Sequence, residues 1–266
     1  MNEQVIRVTV DKRGVARLTM NRPDLRNAFD ERLIGGICDA MGRLSNDDNV
    51  RAIVMTGAGS AFSAGADLNM MRRVAQYSEV QNKDDARRLS HMLRSIYENK
   101  KPVIARVNGP AMGGGLGLIA ACDIAIASET AFFALSEVRL GLVPAVISPF
   151  VVRAIGPRNA RRYFLTGERF DADAACDMGL VHMVCMPEQL DATLDGVLEK
   201  LLSGGPQSLS AAKSLVRRVS YRAIDDGVME ETACLIAKAR AASEGREGIN
   251  AFLEKRNPAW MLTEDA

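Results

Sequence analysis

The chain has 266 residues, of which 47% are hydrophobic and 25% charged, and its formal net charge is +1. This length provides ample material for a core, in one large or two smaller domains. The near-neutral charge argues against a nucleic-acid-binding surface, which needs a clear basic excess. No apolar run is long enough to span a bilayer, and residues 1–10 lack the plan of a signal peptide. We therefore expect a cytoplasmic protein without a membrane partner.

The cysteines and histidines predict no metal site. The five cysteines are widely spaced, and none belongs to a C-x-x-C pair. Neither a disulfide framework nor a zinc site is therefore indicated. His91 and His182 each stand without a partner at metal-ligand spacing.

Hydrophobic periodicity predicts an α/β fold. Two alternating runs over 5–10 and 15–20 indicate a β-hairpin, and an amphipathic helix follows over 29–44. Further strand-like runs alternate with helical stretches, as in a sheet covered by helices. These runs span residues 51–56, 103–107, 123–127 and 181–185. The polar segment 70–83 is expected to be mobile.

The C-terminal part is helical in pattern. Its predicted helices span residues 188–203, 206–220, 223–242 and 244–255. Ser203-Gly204-Gly205-Pro206 indicates a boundary, because glycine ends one helix and proline opens the next. The sequence thus predicts one domain over 1–203 and a helical segment over 204–266. The helical segment has more apolar residues than a lone surface helix needs, which suggests subunit contacts. They are Val228, Met229, Ala233, Leu235 and Ile236.

The most informative segment runs from Gly109 to Leu118 and contains Gly113-Gly114-Gly115. It joins the strand-like run 103–107 to an apolar helical run. Adjacent glycines let the backbone approach a ligand, and the free N–H groups of a helix start favour negative charge. Three interpretations compete: a turn that serves only packing, a dinucleotide-binding loop, and an oxyanion hole for a thioester. Gly115-x-Gly117-x-x-Ala120 fits the dinucleotide pattern, and Glu137 lies at about the right distance downstream, but the ribose-binding acid should end the next strand and Glu137 falls beyond it.

A second small-residue loop favours the oxyanion hole. Residues 57–68 follow the run 51–56, and their glycines and alanines again expose backbone N–H groups. This loop fails the dinucleotide pattern, because Phe62 stands where a third small residue is needed. Two such loops, each after its own strand, can supply one N–H apiece to a single carbonyl oxygen.

The motifs, in this order, resemble those of the crotonase (enoyl-CoA hydratase/isomerase) superfamily over about the whole chain. Each motif is weak alone, and their order and spacing carry the resemblance. They are Met20-Asn21-Arg22-Pro23 with Asn27-Ala28, residues 61–68, Lys101-Pro102-Val103-Ile104-Ala105 with Asn108-Gly109, Gly113-Gly114-Gly115, residues 122–127, Ser136-Glu137-Val138-Arg139-Leu140-Gly141, Leu165-Thr166-Gly167 and Phe252-Leu253-Glu254-Lys255-Arg256. The resemblance implies a catalytic spiral of ββα repeats over 1–203. It also implies a homotrimer or a dimer of trimers, assembled through the helical segment.

The resemblance further implies an acyl-CoA substrate, with no cofactor beyond the coenzyme A of that substrate. It assigns the oxyanion donors to the backbone N–H groups of Gly114 and of Ala66, with Ala64 left as an open alternative. It assigns the Cα proton to Glu137. The substrate and CoA contacts that it implies are Arg26, Ala28, Ala64, Ala66, Asp67, Leu68, Gly113, Gly117, Phe252 and Lys255. The contact from the tail comes from a neighbouring subunit.

The sequence departs from two-glutamate hydratases at Gly117, the position of their second glutamate. Three alternatives follow. Glu137 alone performs both proton transfers of hydration through the water, or another group assists it, or the reaction is not hydration. The absent side chain is also expected to open volume for a branched acyl group or for water. The loop over 141–151 lacks the glycines usual in fatty-acid hydratases. Together with residues 115–118, it resembles the bacterial methylglutaconyl-CoA hydratase branch and its isohexenylglutaconyl-CoA relatives.

The sequence therefore predicts an enoyl-CoA hydratase acting on a branched or carboxylated enoyl-CoA. An enoyl-CoA isomerase, in which one glutamate moves a proton between carbons, is the alternative within the superfamily. A nicotinamide-dependent oxidoreductase and a non-catalytic binding module remain alternatives from other classes.

Overall fold

In the computed structural model, which describes residues 4–261, the chain forms two sheets surrounded by helices. The strands are β1 (Ile6–Val10), β2 (Val15–Met20), β3 (Ala52–Gly57), β4 (Val103–Val107), β5 (Ala111–Met112), β6 (Ile124–Ser128), β7 (Phe132–Ala134), β8 (Arg169–Asp171) and β9 (Met183–Cys185). The α-helices are α1 (Glu31–Asn46), α2 (Leu68–Val74), α3 (Glu79–Tyr97), α4 (Gly114–Ala121), α5 (Ser148–Thr166), α6 (Ala172–Asp177), α7 (Leu190–Leu202), α8 (Pro206–Val219), α9 (Asp226–Ala241) and α10 (Ser243–Leu253). Among these residues, no helix has both the length and the apolarity needed to cross a membrane.

The main sheet has the order β1-β2-β3-β4-β6-β9. The pair β1 and β2 is antiparallel, which confirms the predicted hairpin, and the remaining pairs are parallel. Parallel strands are covered on both faces and therefore read as continuous apolar runs. Every residue of β3 is buried, with α7 covering one face of the sheet through Leu190 and Leu194. The predicted α/β fold is confirmed.

Successive turns of the chain repeat one unit. The chain passes from β4 in the main sheet to the short strand β5 and then to α4. It next passes from β6 to β7 and, through a 3-10 helix over Glu137–Leu140, to α5. Strands β5 and β7 pair in parallel in the second sheet, which has the order β5-β7-β8. These turns are ββα repeats, and the second strand of each lies in the small sheet.

The segment 70–83, expected to be mobile, is largely helical. Helix α2 is capped by Asp67, and α3 begins with a capping box formed by Ser78 and Gln81. A capping box satisfies two N–H groups that a helix start leaves without partners. The buried side chains of α3 lie in its second half, and they hold the helix on the core. They are Met92, Leu93 and Ile96.

Helix α8 is joined to the strand-rich part of the chain by a partly buried ion pair. The Lys213 ammonium lies 2.7 Å from the Asp123 carboxylate, which also accepts a hydrogen bond of 2.7 Å from Val103 N–H. Lys213 also donates to the Lys101 carbonyl at 3.2 Å. Burial raises the pKa of Asp123 and lowers the pKa of Lys213, so taking this pair out of water is costly. The boundary between 203 and 204 stays a prediction.

Lys213→Met is expected to destabilise the protein by about 2 kcal/mol, between the cost for an exposed and for a fully buried pair, because it leaves the partly buried Asp123 carboxylate without its cation. Urea unfolding measures the change. Arg87→Ala is the control, since it removes an exposed ion pair with Asp84 that is worth at most about 1 kcal/mol. Equal unfolding free energies for the two variants would contradict this account of the pair.

Candidate active site

Two asparagine side chains shape the loop that follows β3. The Asn27 amide is buried and donates to the carbonyls of Ala58 and Ala61, at 2.9 Å each. Asn108 accepts from Gly57 N–H at 3.2 Å and donates to the Gly59 carbonyl at 3.0 Å. Both asparagines belong to motifs that the sequence analysis identifies without giving them a role. They satisfy the backbone groups of a loop that has no regular secondary structure.

The loop after β3 lies against the loop before α4. Phe62 N–H donates to the Pro110 carbonyl at 3.0 Å, and Met112 N–H donates to the Ser63 carbonyl at 2.9 Å. Gly65 has φ +84°, and a Cβ there would lie only 2.8 Å from the Met112 carbonyl oxygen and 3.7 Å from Gly114 N. The two small-residue loops predicted to act together therefore meet, and the contact leaves no room for a side chain at Gly65.

Ala66 and Ala64 differ in whether their N–H groups are engaged. Ala64 N–H donates to the Arg26 carbonyl at 2.8 Å. The residues on either side of Ala66 are engaged, since Phe29 N–H donates to Gly65 and Asp67 N–H donates to Phe29. Ala66 N–H itself has no acceptor among the described residues. Of the two candidates left open by the sequence, Ala66 has the N–H that is free for a ligand.

Gly114 supplies a second unengaged N–H. It is the first residue of α4, where an N–H has no acceptor within the helix. A Cβ on Gly114 would lie 2.6 Å from Cε2 of Phe29, so only glycine fits. Because a Cβ on Gly65 would lie 3.7 Å from Gly114 N, this N–H borders the loop that carries Ala66. Two N–H groups without an acceptor among residues 4–261 thus lie on adjacent loops, and backbone donors of this kind suit a negatively charged oxygen.

Glu137 lies beside these donors, at the start of the 3-10 helix after β7. A Cβ on Gly113, the residue before Gly114, would lie 3.0 Å from Glu137 Oε1. Glu137 Oε2 is buried and has no hydrogen-bond partner among residues 4–261. Burial raises the pKa of Glu137, and a backbone hydrogen bond opposes part of that rise. A carboxyl group with a raised pKa and a free oxygen is suited to accept and return a proton.

The expected open volume at Gly117 is absent. Gly117 is buried within α4, and a Cβ there would lie 2.9 Å from Cβ of Ile147 and nearer still to its Cγ2. Ile147 is 3% exposed. The prediction of space at Gly117 is therefore wrong, because a side chain from the loop before α5 already fills it. Sequence analysis missed Ile147, since only the tertiary contact reveals it.

Asp67 holds the loop through its carboxylate. It accepts from Asn69 N–H at 2.8 Å as the cap of α2, and its other oxygen lies 2.9 Å from the Arg22 guanidinium. Burial alone would raise the pKa of Asp67, but these hydrogen bonds and the charge of Arg22 lower it. Arg22 also donates to the Ala28 carbonyl. The Asp67 carboxylate thus fixes the residue after Ala66, and Arg22 is a further site residue without a role in the sequence analysis.

The residues expected at the CoA nucleotide are exposed and lie in two places. Arg26 has φ +49° in the turn before Asn27, and its guanidinium makes no hydrogen bond or ion pair within residues 4–261. Leu68 is exposed at the start of α2. Phe252 is 81% exposed at the end of α10, and Lys255 follows it with φ +53°. Within one chain, no hydrogen bond or ion pair joins this tail to Arg26.

The dinucleotide interpretation does not fit this geometry. Glu137 follows β7 in the small sheet, whereas a ribose-binding acid ends the strand after the glycine-rich helix. No group of three His, Cys, Asp or Glu side chains within residues 4–261 is arranged to hold a metal ion.

Comparison with known proteins agrees with the motifs. Residues 11–262 match the family model described as enoyl-CoA hydratase/isomerase. The chain is 34% identical to 2,3-dehydroadipyl-CoA hydratase of Escherichia coli, with 92% of this chain and 94% of the relative covered. It is 32% identical to trans-2-decenoyl-[acyl-carrier-protein] isomerase of Streptococcus mutans, again with 92% and 94% covered. An enoyl-CoA hydratase from Shewanella pealeana has a crystal structure that superposes with a TM-score of 0.93 at 42% identity, over 96% of each chain.

Gly113→Ala is expected to lower the turnover of an enoyl-CoA by about 100-fold, the usual cost of misplacing a catalytic group by about 1 Å. The added methyl group would meet Glu137 Oε1, and the φ of +47° suits only glycine. Steady-state kinetics measure the loss. Gly42→Ala on α1 is the control, because a Cβ there meets nothing within 4 Å and should stabilise the helix by about 1 kcal/mol. Unchanged turnover in Gly113→Ala would contradict the placement of Glu137.

Proposed function

The chain belongs to the enoyl-CoA hydratase/isomerase family, and we propose that it hydrates a branched or carboxylated enoyl-CoA with Glu137 as its one acid–base group. The observation that carries the proposal is the position of two unengaged backbone N–H groups beside a buried carboxylate oxygen without a partner. The donors suit a thioester oxygen, and the carboxylate suits a proton on the neighbouring carbon.

The thioester oxygen accepts hydrogen bonds from Ala66 N–H and Gly114 N–H in this proposal. Both hydrogen bonds become stronger as negative charge develops on that oxygen in the enolate. One donor of this kind is typically worth about 3 kcal/mol of transition-state stabilisation. Gly114 also lies at the N-terminus of α4, where the positive end of the helix dipole favours negative charge. Because both donors belong to the backbone of packed loops, they need no reorganisation when the charge forms.

Glu137 performs both proton transfers of the hydration. The carboxylate removes a proton from water as the water oxygen bonds to the β-carbon. The resulting carboxyl group then delivers that proton to the α-carbon, which collapses the enolate and restores the carboxylate. One water molecule is consumed, and no other proton donor is required. Burial raises the pKa of Glu137, which makes the carboxylate a stronger base than an exposed glutamate.

The presence of a single glutamate in the site supports a substrate whose acyl group carries a carboxylate. An acyl group that ends in a carboxylate adds a negative charge near the site, and two such charges about 4 Å apart repel by about 4 kcal/mol at an effective dielectric of 20. In a site with one glutamate, the substrate carboxylate is repelled by one negative charge instead of two. The Escherichia coli relative is named for a dehydroadipyl thioester, whose acyl group has a terminal carboxylate. A methylglutaconyl-like group combines that feature with a branch.

Isomerisation is the second candidate, and the apolar surroundings of Gly117 favour it. Ile147 stands where a second carboxylate would help to hold a water molecule. Without bound water, Glu137 removes a proton from one carbon of the enoyl group and returns it to another. The Streptococcus mutans relative is named as an isomerase.

The CoA nucleotide is proposed to bind between Arg26 and the tail of a neighbouring subunit. The free Arg26 guanidinium suits a phosphate. Phe252 and Lys255 supply an exposed ring and a cation at the end of α10. Met229 and Ile236, one heptad apart on α9, are 59% and 50% exposed, which supports assembly through this segment as a homotrimer or a dimer of trimers.

Glu137→Gln is expected to lower turnover by about 10²–10⁴-fold, the usual contribution of acid–base catalysis. Loss of absorbance of the enoyl thioester measures the rate. Glu129→Gln, an exposed change in the loop after β6, serves as the control and should retain the wild-type rate. Near-native turnover by Glu137→Gln on the preferred substrate would eliminate Glu137 as the acid–base group.

The same variant should be more stable than the wild type at high pH. The pKa of Glu137 is raised in the folded protein, so its ionised form opposes folding. The advantage of glutamine is therefore smallest below the unfolded pKa of about 4.3 and grows as the pH rises through the folded pKa. Melting temperatures at about pH 4 and pH 8 measure it. A difference that is the same at both values would contradict the raised pKa.

Phe252→Ser is expected to weaken CoA binding by about tenfold, because burying an aromatic ring is worth more than 1.4 kcal/mol. Leu253→Ser is the matched control, since Leu253 is 71% exposed and has no assigned contact. Point variants are preferable to truncation because Arg51 and Trp260 tie the tail to its own subunit, through the Trp260 carbonyl and Ser203. Calorimetric titration with CoA measures both variants, and equal affinities would refute the placement of Phe252.

A further inference from the structure

An apolar wall borders Gly117 on α4. The Ile147 side chain lies so close that a Cβ on Gly117 would be 2.9 Å from Ile147 Cβ, and Leu93 Cδ2 of α3 would be 3.7 Å from it. Both Ile147 and Leu93 are buried. Any side chain at position 117 would therefore have to displace a β-branched residue at its rigid end. A second carboxylate at this position is excluded by packing as well as by sequence.

The wall lies one helical turn from the Glu137 contact. Gly113 borders Glu137 Oε1, and Gly117 borders Ile147. Gly117 N–H donates to the Gly113 carbonyl at 3.2 Å, so the two glycines are separated by one turn of α4. One turn of an α-helix rises about 5.4 Å. A small acyl group beside the N-terminus of α4 therefore has the carboxylate at one end and the isoleucine side chain at the other.

Glu137 and Ile147 stand at the two ends of one chain segment, residues 137–147. Leu142 N–H donates to the Glu137 carbonyl at 3.0 Å at the start of this segment, and Ile147 accepts from Val151 N–H at 3.0 Å at its end. Ile147 thus has its backbone fixed at the beginning of α5. Its side chain is rigid because it branches at Cβ. The position of the Ile147 side chain beside Gly117 is therefore fixed by both its backbone and its branching.

We propose that Ile147 is a specificity-determining residue, which selects enoyl thioesters with an alkyl branch on the β-carbon over unbranched ones. The inference rests on the proposed function, since it requires the acyl group to lie between Glu137 and α4. An isoleucine side chain offers dispersion contacts to a methyl branch and no hydrogen bond to water. Water that attacks the β-carbon then has Glu137 as its hydrogen-bond partner in the site. One methyl group in an apolar site typically changes kcat/KM by about tenfold.

The test compares kcat/KM for crotonyl-CoA and for its 3-methyl derivative. The wild type should favour the methylated substrate, and Ile147→Ala should lower that preference by about tenfold. Ile155→Ala is the matched control, because Ile155 lies on α5 and is also 3% exposed. It should lose stability without changing the preference. If Ile147→Ala and Ile155→Ala show the same substrate preference, the inference is wrong.

Two further variants test whether Ile147 occupies the space beside Gly117. Gly117→Glu alone should melt well below the wild type, because its side chain meets Ile147. Gly117→Glu combined with Ile147→Gly should recover stability and hydrate crotonyl-CoA at least tenfold faster than Ile147→Gly alone. A Gly117→Glu variant as stable as the wild type, or a double variant no faster than Ile147→Gly, would overturn the inference. A wild type that hydrates no enoyl-CoA, methylglutaconyl-CoA included, would instead refute the proposed function.

Discussion

Contact between the loop after β3 and the loop before α4 sets the geometry of the candidate site. Hydrogen bonds from Phe62 to Pro110 and from Met112 to Ser63 hold the two loops side by side. Gly65 allows this approach, since a Cβ there would lie 2.8 Å from the Met112 carbonyl oxygen, and Gly114 leaves room for the Phe29 ring. The neighbouring N–H groups are engaged elsewhere in the chain, since Ala64 donates to Arg26 and Asp67 donates to Phe29. The N–H groups of Ala66 and Gly114 lack an acceptor among residues 4–261, and Gly114 lacks one because it begins α4.

Packing around the site also buries Glu137, which costs stability. Its Oε2 is buried without a partner, and native proteins satisfy most such groups. Regions that bind charge in a transition state commonly sacrifice stability in this manner. The surrounding chain offsets the cost with satisfied groups such as Asp67, whose carboxylate is fully engaged by Arg22 and the start of α2. The hydrogen bonds and the Arg22 charge lower the pKa of Asp67, whereas burial raises the pKa of Glu137.

Local patterns in the sequence predict the hairpin, the parallel strands and the helices of the C-terminal part within a few residues. They also identify both glycine-rich loops, because strand-to-helix junctions with small residues have a recognisable composition. Three features escape them. The segment 70–83 looks too polar to be ordered, yet caps at Asp67 and Ser78 start helices there. The choice between Ala64 and Ala66 depends on the Arg26 carbonyl, and the wall at Gly117 depends on Ile147. Both are contacts between residues about 30 or more positions apart, which no local pattern encodes.

The central claim is that one thioester oxygen binds both Ala66 N–H and Gly114 N–H. A crystal structure of the Glu137→Gln variant with an enoyl-CoA measures this directly. The account predicts that the thioester oxygen lies about 2.7–3.1 Å from both backbone nitrogens. An oxygen that contacts only one of them, or that lies nearer to Ala64 N than to Ala66 N, would contradict it.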